Sequence, residues 1–201
     1  MQKITREVWL TKAAAKLTPR VQRAGFEMPA NCRYTCGFPS TGGLARKRRT
    51  IGQCWDKGCS KDETFEILVS PTLDDTVEVL ATLLHEMIHA AVGLKCRHSG
   101  DFRKCAKAVG LEGKMTATVA GEELRADLMK LADSLGPYPH ARLNGRDHSG
   151  PKKQTTRLFK CECGECGYVI RTTRKWIETG LPTCHCGGEF TSDYNPEDED
   201  E

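Results

Sequence analysis

The chain has no apolar run long enough to span a membrane, which excludes a helical transmembrane anchor within it. Its first residues, Met1 to Lys16, scatter Lys3, Arg6, Lys12 and Lys16 among apolar positions. They lack an apolar core followed by a cleavage site, so they do not read as a signal peptide. Charge of one sign is also missing: 30 Lys and Arg against 27 Asp and Glu leave +3, too little to imply a partner by itself. Nor do the cysteines form an even set. Eleven cannot complete a disulfide framework. Together these absences predict a soluble chain in a reducing, intracellular compartment, the cytoplasm. What is present, 201 residues with 38% hydrophobic and 28% charged, suits one modest α+β domain plus an appendage.

The most informative stretch runs from Asp74 to Phe102. Asp74, Asp75 and Thr76 supply capping oxygens and negative charge at a helix start, and Pro71 precedes them. Val77, Leu80, Leu84 and Ile88 recur at helical spacing and predict one buried stripe. His85 and His89 fall one turn apart, so their imidazoles leave the helix on one side and can share an ion. Glu86 between them is a carboxylate able to take a proton from a water at such an ion. This is the H-E-x-x-H arrangement. Gly93 stops the helix, and His98 returns before a second helix that starts at Ser99 or Asp101 and buries Phe102, Cys105, Ala106 and Val109. His98 is the expected third ligand; Glu122 and Glu123 are the weaker option.

His-Glu-Met-Ile-His followed by His98-Ser-Gly-Asp-Phe102 resembles the SprT-like zinc metallopeptidases, whose third ligand is a His followed closely by Gly and then Phe. The spacing differs from metzincins, where the third His comes sooner, and from gluzincins, which use a Glu on a later helix. The resemblance implies a zincin-like domain, with a small sheet packed on the H-E-x-x-H helix and one catalytic Zn²⁺. It also implies cleavage of proteins associated with or crosslinked to DNA, in a nucleoid-associated setting when DNA is bound.

Before that helix, Glu7 to Ala24 reads as helical, with Val8, Leu10, Ala14, Leu17 and Val21 as apolar positions and Pro19 expected to interrupt or end its first part. Cys32 to Phe38, Ile51 to Trp55 and Phe65 to Val69 read as strands. The turn cluster Pro39 to Gly43 lies between the first two, followed by Arg46, Lys47, Arg48 and Arg49. That basic run is either a solvated hairpin tip or a phosphate contact. Cys32, Cys36, Cys54 and Cys59 lack common knuckle spacing and read as thiols in or near the sheet. Beyond the second helix, Glu112 to Ala120 is expected to be irregular. Glu122 to Leu135 is an amphipathic helix with Leu124, Leu128, Leu131 and Leu135 as its core stripe, stopped by Gly136 and Pro137. His140 and His148 follow as surface residues.

The composition turns polar and basic over 145–157, which marks a linker between a domain at 1–144 and a module at 158–192. An acidic tail occupies 193–201 and is expected to be disordered. In the module, Cys163-Gly-Glu-Cys166 and Cys184-His-Cys186 form two knuckles separated by a strand-like stretch, Tyr168 to Trp176. Four thiolates close a structural Zn²⁺ site as a zinc ribbon, with Cys161 spare and His185 outside; a register using Cys161 with Cys163 is the alternative. Lys160, Arg171, Arg174, Lys175 and Trp176 combine cations with an aromatic and predict contact with nucleic acid, single- or double-stranded. The predicted protein is thus a monomeric zinc endopeptidase with one catalytic and one structural zinc, acting on DNA-bound protein substrates away from membranes. The alternative is a zinc-ribbon DNA-binding or regulatory protein whose H-E-x-x-H site is vestigial.

Overall fold

A computed structural model describes residues 4–45, 47–144 and 157–195. Arg46, residues 145–156 of the expected linker (His148 among them) and the last six residues of the acidic tail lie outside the described residues. The chain is mixed α+β, with small sheets and five helices among the described residues, and divides into two compact units, Met1–His148 and Ser149–Glu201. No described helix is long and apolar enough to cross a membrane.

In the first unit, helix α1 (Arg6–Arg23) is capped by Thr5, whose side chain accepts from the Val8 N–H. It ends with Arg20 and Arg23 in its last turn, where cations suit the dipole. Its buried face is Trp9, Leu10, Ala13, Ala14, Leu17 and Val21. Val8 is exposed and Trp9 takes the inward position, a correction of one residue in phase. Pro19 does not break the helix, contrary to expectation. It removes one backbone donor, but the buried stripe continues past it to Val21, and this packing outweighs the local cost.

Three strands follow, β1 (Cys32–Cys36), β2 (Gly52–Trp55) and β3 (Phe65–Val69), in the order β1-β3-β2. β1 runs parallel to β3 and β2 antiparallel to it. The alternation of β3 sends Phe65, Ile67 and Val69 into the core. Helix α1 packs on β1, and helix α2 (Thr76–Val92) packs on β2 and β3. β1 and β2 are therefore both sheet edges.

Asp75 caps α2, its Oδ1 accepting from the Glu78 N–H at 2.8 Å. Leu80, Leu84 and Ile88 are buried as expected, whereas Val77 is only partly so. The helix stops at Gly93, whose φ of 81° is left-handed and suits a residue without Cβ. A single 3₁₀ turn, Leu94–Cys96, leads back to helix α3 (Gly100–Ala108), which Ser99 precedes. Phe102, Cys105, Ala106 and Val109 are buried.

The next segment corrects the sequence reading. Residues expected to be irregular form a hairpin of β4 (Leu111–Lys114) and β5 (Ala117–Ala120). Its base is closed by the Gly121 N–H on the Gly110 carbonyl at 2.9 Å. Each strand is only four residues long and Leu111 is the one residue of the pair that is buried, so no alternating apolar signal marks it. Helix α4 (Glu122–Leu135) then buries Leu124 and Leu128 and ends at Gly136. His140 is half-buried rather than a surface residue. Its Nε2 lies 2.8 Å from the Pro71 carbonyl and its Nδ1 3.2 Å from Arg6.

The second unit is a three-stranded antiparallel sheet, β7-β6-β8, of β6 (Leu158–Cys163), β7 (Val169–Thr173) and β8 (Phe190–Ser192). The strand-like stretch expected through Trp176 ends at Thr173, and Arg174–Thr179 form helix α5. Among the described residues, the unit's buried hydrophobic residues are Phe159, Cys161, Cys163 and Cys184, too few to hold such a sheet by apolar burial alone.

Candidate metal centres

α2 is apolar almost all round, and Met87, Ile88 and Leu84 anchor it in the core. That anchoring fixes the direction in which His85, Glu86 and His89 project. The turn through Gly93 and Arg97 then brings His98 back over the same side, with Arg97 at a φ of 47°. His85, His89 and His98 each offer a ligand atom, and these atoms all lie within 4.8 Å of one another. His89 Nε2 and His98 Nε2 are 3.2 Å apart. Two nitrogens on one tetrahedral zinc at about 2.0–2.1 Å sit about 3.4 Å apart, so the donor set fits such an ion. Phe102 backs all three rings: it stacks on His89 at 4.3 Å and meets His85 and His98 edge-on at 4.9 and 5.0 Å.

Burial tunes these groups. It pushes His85 down to about 4, helped by His98, and His89 down to about 3, helped by His85 and His98. His98 is lowered for the same reason. The imidazoles are therefore neutral at neutral pH, the form that ligates metals. Glu86, only 7% exposed, is pushed up to about 8 by burial.

Two residues that the sequence reading did not single out shape this centre. Gly52 on β2 faces Glu86: a Cβ there would come within 2.5 Å of Glu86 Oε1 and 2.9 Å of Thr82 Cγ2. The signal was a glycine inside a strand, which often marks close approach of another group. Thr118 on β5 holds its Oγ1 2.8 Å from His85 Nδ1, and nothing in the local sequence announces it.

In the second unit, the four knuckle thiols Cys163, Cys166, Cys184 and Cys186 come together. Cys163 and Cys186 sulfurs are 3.6 Å apart and those of Cys166 and Cys184 3.5 Å. A tetrahedral zinc with bonds of about 2.3 Å spaces its sulfurs by about 3.8 Å, so this set also fits. Backbone N–H groups of Cys166 and Glu165 pull Cys163 down to about 7, favouring the thiolate. Cys161 is buried in β6 outside the quartet. His185 packs edge-on against Tyr168.

Other expected residues fall elsewhere. Glu122 and Glu123 are exposed at the start of α4 and belong to neither cluster. Among the described residues, Cys32, Cys36, Cys54 and Cys59 do not gather into a metal-binding set. Lys47, Arg48 and Arg49 are exposed in the segment between β1 and β2. Lys160 is ion-paired with Glu162 and Arg174 with Glu178, while Arg171 and Trp176 are exposed and the Lys175 ammonium lies 5.0 Å over the Trp176 ring.

The buried groups predict how the metal-free protein responds to pH. His85 and His89 have native values below the ordinary 6.5, so the unfolded chain binds more protons in acid, and stability falls as pH drops from 6.5 toward 4. Glu86 is raised from 4.5 to about 8, so its contribution is present in acid and lost as pH rises through 8. Between 4.5 and 6.5 the two effects oppose each other, with three histidines against one carboxyl. Denaturant midpoints of chelator-treated protein should therefore peak near pH 6.5. Glu86→Gln should flatten the decline from 6.5 to 8; an unchanged decline would show that another group causes it.

No family model, curated protein or solved structure matches the chain.

Proposed function

We propose that the chain is a zinc-dependent endopeptidase of the SprT-like kind, built on a zincin-like domain with a zinc ribbon, and that it cleaves proteins attached to DNA. The observation that carries this reading is the convergence of His85, His89 and His98 beside a buried Glu86 at the free edge of a sheet. A purely structural metal site has no use for that carboxylate. In this reading the three imidazoles hold a zinc ion, which when bound polarises the scissile carbonyl and lowers the pKa of water. Glu86 accepts the proton of the attacking water and delivers it to the departing amine nitrogen.

β2 would hold the substrate. The Ser70 N–H donates to the Ile51 carbonyl at 2.8 Å, so antiparallel alternation assigns the backbone groups of Gln53 and Trp55 to β3. Those of Gly52 and Cys54 face the free edge, where the Cys54 N–H already reaches the Glu86 carboxyl and Gly52 lies beside it. An extended peptide can add there as a further strand, with its backbone next to the carboxyl that must move a proton.

The ribbon supplies location instead of a specificity pocket. Because Lys160 and Arg174 have acidic partners, the nucleic-acid contacts in this reading fall mainly to Arg171, Lys175 and Trp176, with Lys47, Arg48 and Arg49 of the first unit. Holding DNA near the peptidase raises local substrate concentration without any new contact at the scissile bond.

The test is hydrolysis of a protein bound to DNA by zinc-loaded and chelated protein. Activity should vanish with the chelator and return with zinc. DNA should stimulate cleavage by roughly 10²-fold, an effect that fades as salt rises. Deleting 158–201, or reversing charge at Arg171 and Lys175, should spare hydrolysis of a small unstructured peptide while removing that stimulation. Equal stimulation in truncated and full-length protein would reduce the ribbon to a structural cap. Zinc-loaded protein that cleaves nothing yet binds DNA tightly would favour a binding module instead.

A further inference from the structure

We propose that Thr118 is the positioning residue of the three-histidine centre: its hydroxyl oxygen accepts the Nδ1–H of His85 and so reserves His85 Nε2 for the ion. The proposal rests on reading that centre as a metal site, but not on peptidase activity.

A neutral imidazole carries one N–H and one lone pair, and the nitrogen that ligates a metal must be the one without the proton. Left to itself, imidazole favours the proton on Nε2, the wrong tautomer for an Nε2 ligand. His85 Nδ1 lies 2.8 Å from Thr118 Oγ1, so Nε2 is the nitrogen left to face His89 and His98. Among the described residues, His85 is the one member of the cluster hydrogen-bonded to a side chain outside it. A ligating imidazole carries a single N–H, so that single contact decides where the proton sits.

The hairpin is shaped to deliver this hydroxyl. Along β5, Thr118 and Ala120 are half-buried while Ala117 and Val119 are exposed, the two-residue alternation of a strand. Gly113, opposite Thr118 in register, has a left-handed φ of 85°. β4 buries only Leu111. Apolar packing thus gives little reason for a hairpin between α3 and α4, whereas placing Thr118 against His85 gives one.

The test uses the full chain. Zinc affinity is measured by competition with a chromophoric chelator, resolving the histidine site from the ribbon, for wild type, Thr118→Val and Thr118→Ser. Thr118→Val keeps the shape and removes the acceptor, so it should weaken the histidine site by about 10–100-fold and leave the ribbon site unchanged. Thr118→Ser should restore affinity. Independently, long-range proton–nitrogen NMR of metal-free protein should show the His85 proton on Nδ1 in wild type and moved toward Nε2 in Thr118→Val. Equal affinity of Thr118→Val and wild type, or a wild-type His85 protonated on Nε2, overturns the proposal. If Thr118→Val fails to fold, the wild-type tautomer and the serine variant still decide. A wild type that takes up no ion at the histidines brings down both this proposal and the metal reading. Threonine-dependent zinc uptake without hydrolysis brings down the peptidase reading alone.

Discussion

Glu86→Gln should lower hydrolysis of an unstructured peptide by about 10²–10⁴-fold, the range expected for loss of general acid–base catalysis. Zinc content should stay at one ion per cluster. The amide has nearly the volume of the carboxyl, so it fits in the space that Gly52 leaves, but it cannot receive the proton of an attacking water. The fold should not suffer. Burial disfavours the charged carboxylate, and the amide removes that charge, so the metal-free variant should be at least as stable as wild type at pH 8. Elemental analysis, a peptide cleavage assay and a denaturant titration separate these effects. Equal inactivity of both proteins, with DNA binding strong in each, would make the H-E-x-x-H site vestigial.

The largest effect on folding belongs to the second unit. Cys184→Ser should abolish its metal and unfold β6, β7 and β8 while the first unit stays intact. Structural zinc of this type contributes roughly 10–16 kcal/mol at neutral pH, far more than a few buried side chains offer. Phe159 is the largest of those buried here. Cys161→Ala should behave differently: Cys161 is buried in β6 but outside the quartet, so both ions should remain. Metal content and amide NMR dispersion of the two variants check this. Loss of one ion from Cys161→Ala would move the ribbon to the register that uses Cys161 with Cys163.

Where the sequence carries strong period and punctuation, the elements could be read directly. α4 runs from Glu122 to Leu135 as expected, because a leucine stripe lies between a turn and Gly136. β3 likewise matches Phe65 to Val69. The three histidines were legible because ligand spacing on a helix is a local property, and Gly93 announced the turn that returns His98. What stayed hidden depends on contacts remote in sequence. His85 and Thr118 are 33 residues apart. Gly52 makes sense only once α2 is laid against β2. Pro19 misled for the complementary reason: a local rule was overruled by the buried stripe that runs through it.

With an ion bound, the two knuckles would also close a chelate ring. Cys166 and Cys184, whose sulfurs meet, are 18 residues apart in sequence, whereas His89 and His98 are separated by 9. Closing a flexible ring costs only about 0.6 kcal/mol more for each doubling of its length, small beside what a zinc ion returns. The segment between the knuckles is therefore a permissive insertion point: residues added near Gly180 lengthen the ring at little cost and leave the quartet intact. The ribbon can change what it touches by lengthening this arc, while the thiols that hold it together stay the same.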